Sequence, residues 1–260
     1  MRRTIRPALR VLCCAIVLLL LTAAVFAAAS EGYDVLGDSL PMLVNKDYPV
    51  AEDFVPADLV LLKDVLDPSL VTIKNKDTTQ AVRTAAEALE TMLEAAKEDG
   101  VKNWQINTAY RSFSEQQKIL DNRIKSYRKS NPNLSRAAAK ARALRTVAEP
   151  GCSEHHLGLA FDITAKGASG FKGTKQCKWL HAHCWDYGFI VRYQADKTEI
   201  TGFSAEEWHI RYVGKEHSIP MRNANYCLEE YLEHAQQDPL AFLVEDAEED
   251  IDFEELLPGN

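Results

Sequence analysis

Three features that this 260-residue sequence lacks each argue against a class of protein. None of its six cysteines lies in a Cys-x-x-Cys pair, which disfavours a zinc site built from cysteines. It contains no Lys-Thr-Gly motif, which a serine penicillin-binding enzyme needs together with Ser-x-x-Lys. Basic residues are in deficit, 30 Lys and Arg against 38 Asp and Glu, so a nucleic-acid partner is not expected. The remaining composition is that of a globular protein with one well-filled core.

The first 29 residues have the layout of an export signal. Four arginines within the first ten residues precede an uncharged apolar run at 11–29, which ends in small residues. The run is long for a cleaved signal peptide and just long enough to span a bilayer. We therefore predict either a signal peptide or an N-terminal membrane anchor at 1–29, with everything after Ser30 exported from the cytoplasm.

The exported part carries four cysteines and an acidic end. Cys152, Cys177, Cys184 and Cys227 permit three disulfide pairings. In an oxidising compartment one or two disulfides are expected, unless the host is an anaerobe that leaves the thiols free. Residues 237–260 contain no Lys or Arg and many acids, which predicts a solvated, disordered tail.

Between these ends we predict an arm and a main domain. Residues 30–69 are loop-like and are interpreted as an extended arm that wraps the domain at 70–236. The predicted helices of the domain are 78 or 79 to 99, 114–128, 135–148, 178–187 and 228–235. The predicted strands are 104–108, 159–163, 189–193 and 208–213. Because strands and helices do not alternate strictly, we predict an α+β fold with a small antiparallel sheet flanked by helices.

Two segments can supply the ligands of a hydrolytic zinc site, which needs three protein ligands and an open fourth position for water. In Ser-Glu-His-His-Leu-Gly-Leu-Ala-Phe-Asp at 153–162, a histidine on a turn precedes a carboxylate on a strand, and Gly158 allows a tight fold between them. In Glu-Glu-Trp-His at 206–209, a third ligand follows an acid that can act as a base. Each segment alone is weak evidence, since an isolated histidine is more often a surface or core residue.

Together the two segments resemble the VanY-type D-alanyl-D-alanine carboxypeptidases, metallopeptidases that share a fold with the Hedgehog signalling domain. The resemblance extends from Leu43 to Leu232. It includes Tyr-Arg-Ser at 110–112 with Gln116, Ser-x-His-x6-Asp at 153–162, Tyr-Gly-Phe-Ile at 187–190 and Glu-x-Trp-His-Ile-Arg-Tyr-Val-Gly at 206–214. One departure is visible: the family commonly has proline between the glutamate and the tryptophan, where this chain has Glu207.

The resemblance implies a Hedgehog/DD-peptidase-like fold and one zinc ion per chain. The implied ligands are His155, Asp162 and His209. The implied general base is Glu206, which spacing favours over Glu207.

The same resemblance implies residues that bind the substrate. Arg111 is expected to pair with its terminal carboxylate or with the oxyanion that develops during the reaction, because a guanidinium group binds such groups bidentately. Gln116 and Ser153 are expected to hydrogen-bond its last residues. The remaining histidines are interpreted as structural: His156, His181, His183, His217 and His234.

The implied reaction is removal of the C-terminal D-alanine from peptidoglycan stem peptides or their precursors by water that zinc activates. Two alternatives keep the fold and the metal: an L,D-carboxypeptidase acting on tetrapeptides, or a dipeptidase for free D-Ala-D-Ala. Loops at 165–178 and 194–203 would form the part of the pocket whose shape distinguishes these substrates. A third alternative is a catalytically silent cell-wall-binding module. Such a module would be recognised by the loss of the general base, whereas this chain has Glu206.

Overall fold

The computed structural model describes residues 40–237. The predicted export segment at 1–29 and the predicted tail beyond residue 237 lie outside the described residues. Within residues 40–237, no helix has both the length and the apolar character needed to cross a bilayer.

A five-stranded sheet forms the centre of the domain. Its strands are β2 (Val71–Ile73), β4 (Trp104–Thr108), β5 (Ala160–Ala165), β6 (Phe189–Tyr193) and β7 (Glu206–Tyr212), in the order β2-β4-β5-β7-β6. Neighbouring strands are antiparallel except β2 and β4, which are parallel. A two-stranded antiparallel sheet pairs β1 (Leu59–Leu61) with β3 (Gln80–Val82). The predicted α+β fold is confirmed, with a parallel pair at one sheet edge as the difference.

Helices flank the sheet. Over the described residues they are α1 (Arg83–Glu98), α2 (Phe113–Ser130), α3 (Arg136–Ala143), α4 (Lys175–His183), α5 (Thr198–Thr201), α6 (Lys215–Ala224) and α7 (Leu228–Gln237). The buried residues of α1 recur at helical spacing: Ala85, Ala86, Leu89, Met92, Leu93 and Ala96. Helix α2 begins with a capping box, in which Ser112 and Glu115 satisfy each other's backbone N–H groups.

Strands β4 and β6 have the predicted limits, whereas several helix limits were wrong. Helix α1 begins at Arg83, not at residue 78 or 79, because Gln80–Val82 pairs with β1 as a strand. Helix α3 ends at Ala143 and the chain continues in turns, since Thr146 N donates to Ala143 O. Helix α6 was missed because Pro220, a residue that usually breaks helices, lies inside it.

The expected disulfides are absent. In the described part of the chain, Cys152, Cys177, Cys184 and Cys227 are all free. Three of them are buried, where a thiol packs as a small apolar side chain. Burial raises the pKa of Cys227 to about 12, which keeps this thiol protonated and unreactive. Free thiols were the alternative expectation from the sequence, and burial in the core accounts for three of the four.

The described part of the predicted arm contacts the domain through its backbone. Val50 N donates to Gly151 O at 2.9 Å. The guanidinium Nη2 of Arg211 donates to Met42 O at 3.0 Å. The limits of the arm stay a prediction.

Candidate active site

A cavity of about 410 Å³ is lined by residues of β5, β7 and α2. Its lining includes all seven residues that the sequence analysis selected: Arg111, Gln116, Ser153, His155, Asp162, Glu206 and His209. These residues come from three stretches of chain, 111–116, 153–162 and 206–209, and the fold brings them to one place.

Strand pairing places two of the three expected ligands side by side. Asp162 of β5 is the direct partner of His209 of β7, and partners in an antiparallel pair project from the same face. His155 lies in a short 3-10 turn, Glu154–Leu157, which leads into β5. Asp162 Oδ1 is 3.5 Å from His155 Nε2 and 3.3 Å from His209 Nδ1.

These three side chains fit a metal ion. One ligand atom from each lies within 4.8 Å of the others. Ligands about 2.1 Å from a tetrahedral zinc ion are about 3.4 Å apart, which agrees with the two distances from Asp162 Oδ1. This oxygen is buried and has no hydrogen-bond partner among residues 40–237, as expected of an atom kept for a ligand.

The hydrogen bonds of His155 decide which of its nitrogens faces the site. Nδ1 lies 2.6 Å from Ala109 O, and because a carbonyl only accepts, Nδ1 carries the proton. Nε2 then presents its lone pair towards Asp162. Burial, assisted by the nearby Arg111, lowers the pKa of His155 to about 4, so the ring is neutral.

Gly158 ends the turn that carries His155. Its φ of +66° is in the left-handed region, and a Cβ there would lie 3.0 Å from Leu59 Cδ2 and 3.1 Å from Val82 Cγ2. Its carbonyl accepts a hydrogen bond from Val82 N at 2.9 Å. The turn therefore requires glycine for its dihedral angle and for space.

A bulge directs Glu206 towards His209. Residues three apart in a regular strand face opposite sides. Between the pairs Val191↔Ile210 and Tyr193↔Glu206, however, β7 contains two more residues than β6. Glu206 Oε2 consequently lies 3.8 Å from His209 Nδ1.

Glu206 and its neighbour Glu207 have different surroundings. Burial raises the pKa of Glu206 to about 7, while His209 opposes the shift. Glu207 instead forms an ion pair with Lys172, at 2.8 Å, and this hydrogen bond lowers the pKa of Glu207. Of the two acids, only Glu206 lines the cavity within the described part of the chain.

Arg111 is held at the cavity wall by other side chains. Its Nη1 donates to Gln116 Oε1 at 2.6 Å, and its Nη2 is 3.7 Å from Asp162 Oδ2. Gln116 Nε2 donates to Ala148 O at 2.7 Å. Gln116 thus uses both ends of its amide to orient Arg111, and its expected contact with substrate stays a prediction, as does that of Ser153.

His156, interpreted from sequence as structural, supports the same region. Its Nδ1 donates to Arg111 O at 2.7 Å and its Nε2 accepts from Gly151 N at 3.0 Å. It therefore fixes the backbone of Arg111 and uses both ring nitrogens in doing so.

Several residues that were not predicted from the sequence also lie against the site. The Tyr193 ring centroid is 4.9 Å from that of His209, and Arg123 and Tyr127 of α2 line the cavity. Glu154 lies behind His209, where its Oε2 is 3.7 Å from Nε2. The sequence signal for Glu154 is an acid directly beside a predicted ligand, His155.

The model of the VanY family, D-alanyl-D-alanine carboxypeptidase, matches residues 78–215, just over half of the chain. The chain belongs to this family. It is 44% identical over 144 residues to a D-alanyl-D-alanine carboxypeptidase of Enterococcus faecalis, a match that covers 55% of this chain and 52% of that protein. The chain thus spans about half the length of this relative.

Solved structures are similar over a larger share of the chain. A variant of the vancomycin-resistance D,D-pentapeptidase VanY, in complex with Zn(II), is 36% identical with a TM-score of 0.62, covering 74% of this chain and 97% of that one. The LD-carboxypeptidase LdcB is 34% identical with a TM-score of 0.61, covering 74% of this chain and 84% of that one. The fold family predicted from sequence is confirmed.

Proposed function

We propose that this protein is a zinc-dependent D,D-carboxypeptidase that removes the C-terminal D-alanine from peptidoglycan stem peptides. One observation carries the proposal: three metal-ligating side chains, a buried carboxyl group and an arginine converge on one cavity. Family membership supports the choice of bond, and the similarity to a VanY variant solved with Zn(II) supports the choice of metal.

His155, Asp162 and His209 would hold one zinc ion. Two imidazoles and one carboxylate, with a side open to the cavity, form a ligand set typical of catalytic zinc. When bound, zinc supplies Lewis-acid chemistry: it lowers the pKa of water to about 7 and polarises a carbonyl group.

Glu206 is the residue that moves the proton. Its carboxylate accepts a proton from the water that attacks the carbonyl before the terminal D-alanine, and returns it to the departing amine. A buried carboxyl group whose pKa is about 7 suits both steps near neutral pH. Glu207 is engaged by Lys172 and takes no part.

Arg111 binds the anionic end of the substrate. Its guanidinium lines the cavity beside Asp162, and Gln116 holds one of its nitrogens. A planar fork fixed in this way pairs bidentately with the terminal carboxylate, which places the scissile bond in register with Glu206.

A second candidate is an L,D-carboxypeptidase, which acts on tetrapeptides through the same residues. The similarity to LdcB favours it as the alternative. The described site is compatible with both, because all the residues named above act on the terminal D-alanine common to the two substrates. A dipeptidase for free D-Ala-D-Ala keeps the same chemistry.

The proposed substrate requires export of the domain. An export signal or membrane anchor at residues 1–29 would place it in contact with the cell wall.

The test compares two substrates in the presence and absence of metal. Purified protein is incubated with muropeptides ending in pentapeptide or tetrapeptide, before and after treatment with chelator, and free D-alanine is measured. We expect release of a single D-alanine that chelator abolishes and Zn²⁺ restores. Release from pentapeptide supports the D,D assignment, and release from tetrapeptide alone supports the L,D alternative. Release that chelator leaves unchanged, or no release from either substrate, contradicts the proposal.

A further inference from the structure

A buried carboxylate lies on the side of His209 that faces away from the cavity. Glu154 directly precedes the ligand His155, and its side chain is fully buried. Its Oε1 accepts a hydrogen bond from Arg192 Nε at 2.8 Å and lies 3.1 Å from Arg211 Nη1. A buried carboxyl group that meets two guanidinium groups at these distances is paired with them as a carboxylate.

The second oxygen of Glu154 is left for His209. Glu154 Oε2 and His209 Nε2 are 3.7 Å apart, and neither has a hydrogen-bond partner within residues 40–237. This separation exceeds the donor–acceptor distance of a strong N–H···O hydrogen bond by about 0.8 Å. A small shift of the two side chains therefore forms the hydrogen bond. Because an unpaired buried polar atom is costly, pairing of these two is favoured.

The surrounding residues prevent Glu154 from turning away. Arg192 donates from Nη1 and Nη2 to the two oxygens of Glu229, at 2.8 and 2.6 Å. Arg211 donates from Nε to Tyr212 O at 3.0 Å. Both guanidinium groups are thus fixed by further partners, and together they fix the first oxygen of Glu154.

A hydrogen bond to Glu154 decides which nitrogen of His209 can bind metal. A carboxylate only accepts, so Nε2 must carry the proton and Nδ1 keeps its lone pair. It is Nδ1 that lies 3.3 Å from Asp162 Oδ1, at the proposed metal position. We propose that Glu154 is a positioning residue that holds His209 in the tautomer able to bind zinc and thereby raises the zinc affinity of the site. This inference rests on the proposed zinc enzyme and goes beyond its three ligands.

The competing explanation is that Glu154 serves only as a counter-ion for Arg192 and Arg211. In that case its loss would destabilise the protein without a specific effect on the metal. The two explanations differ in zinc affinity, which can be measured on folded protein without any assay of peptide cleavage.

The central variant is Glu154→Gln. The two guanidinium groups require an acceptor, so the amide oxygen faces them and the NH₂ group faces His209 Nε2. A donor at that position favours the opposite tautomer, in which Nδ1 carries the proton and cannot bind metal. We expect zinc affinity, measured by competition with a chromophoric chelator, to fall about 10-fold to 100-fold.

The matched control is Glu229→Gln, which removes a carboxylate from the same Arg192 and leaves Glu154 in place. We expect it to bind zinc like the unaltered protein. If Glu154→Gln does not fold, Glu154→Asp replaces it: the charge beside the arginines remains, but the side chain is shorter by about 1.5 Å. This variant is also expected to bind zinc more weakly.

A second readout is the tautomer itself. In ¹⁵N-histidine NMR of the zinc-loaded protein, the proton of His209 is expected on Nε2. Unchanged zinc affinity in folded Glu154→Gln, or an equal loss in Glu229→Gln, overturns the inference while the proposed enzyme stands. Failure of the unaltered protein to bind zinc overturns the proposed function as well.

Discussion

The two sides of the His209 ring have opposite designs. On the cavity side, Nδ1 faces Asp162 and Glu206, and Asp162 Oδ1 is left without a hydrogen-bond partner within residues 40–237. On the reverse side, Glu154 and Glu229 are matched by Arg192 and Arg211, two acids against two bases. On the cavity side, polar atoms are left available for a ligand. On the reverse side, the charged side chains pair with one another. Substitutions on the first side should therefore reduce activity. Substitutions of the arginines on the second side should reduce stability, while Glu154 on that side should also affect zinc affinity.

The largest expected effect is on turnover, from Glu206→Gln. Because this residue supplies the proton transfers, kcat should fall about 10²-fold to 10⁴-fold, while zinc content and melting temperature stay unchanged. The measurement is D-alanine release beside metal analysis and thermal unfolding. Glu207→Gln is the matched control, since Glu207 pairs with Lys172 away from the cavity, and its kcat should stay near that of the unaltered protein. A similar loss in both variants would remove the distinction between the two acids.

On the reverse side, Arg192→Met is expected to act on stability. It leaves the buried Glu154 and the partly buried Glu229 without their shared partner, which costs about 3–5 kcal/mol of the free energy of unfolding. Urea unfolding of the metal-free protein measures this. The control is Arg222→Met, which breaks the Arg222–Asp186 pair, with side chains 38% and 44% exposed, and should cost less than about 1 kcal/mol. Equal costs in the two variants would show that the buried charges are not a structural unit.

Arg111→Lys tests the cavity side without removing charge. A lysine cannot form the bidentate pair with a carboxylate, so kcat/KM for the peptide substrate should fall about 10²-fold with little change in stability. Arg123→Lys is the control, because Arg123 lines the same cavity from α2 with its side chain exposed to solvent. A larger loss in Arg123→Lys would move the carboxylate site to α2.

The ligands on the cavity side could be predicted from the sequence, whereas the charge network on the reverse side could not. The candidate ligands were identified because two short segments carry them at a recognisable spacing, and the antiparallel pairing of Asp162 with His209 brings these segments together. The bulge that turns Glu206 towards His209 depends on how β6 pairs with β7, which no local pattern encodes. The charge network was missed for a similar reason: a buried Glu154 is understood only once Arg192 and Arg211 are known to surround it.

The smallest expected effect concerns the turn that carries Glu154 and His155 and so joins the two sides. Gly158→Ala should cost about 2–3 kcal/mol, because alanine is strained at a φ of +66° and its Cβ presses on Leu59 and Val82. Gly167→Ala is the control: its φ is +77° but no atom lies within 4 Å of the added Cβ, so only the strain of about 1 kcal/mol remains. Urea unfolding of the two variants separates strain from crowding. If Gly158→Ala also weakens zinc binding and Gly167→Ala does not, the turn positions both sides of the site. Equal unfolding costs in the two variants would show that the side chains of Leu59 and Val82 move to make room for the added Cβ. Glycine would then be required at 158 for its dihedral angle alone.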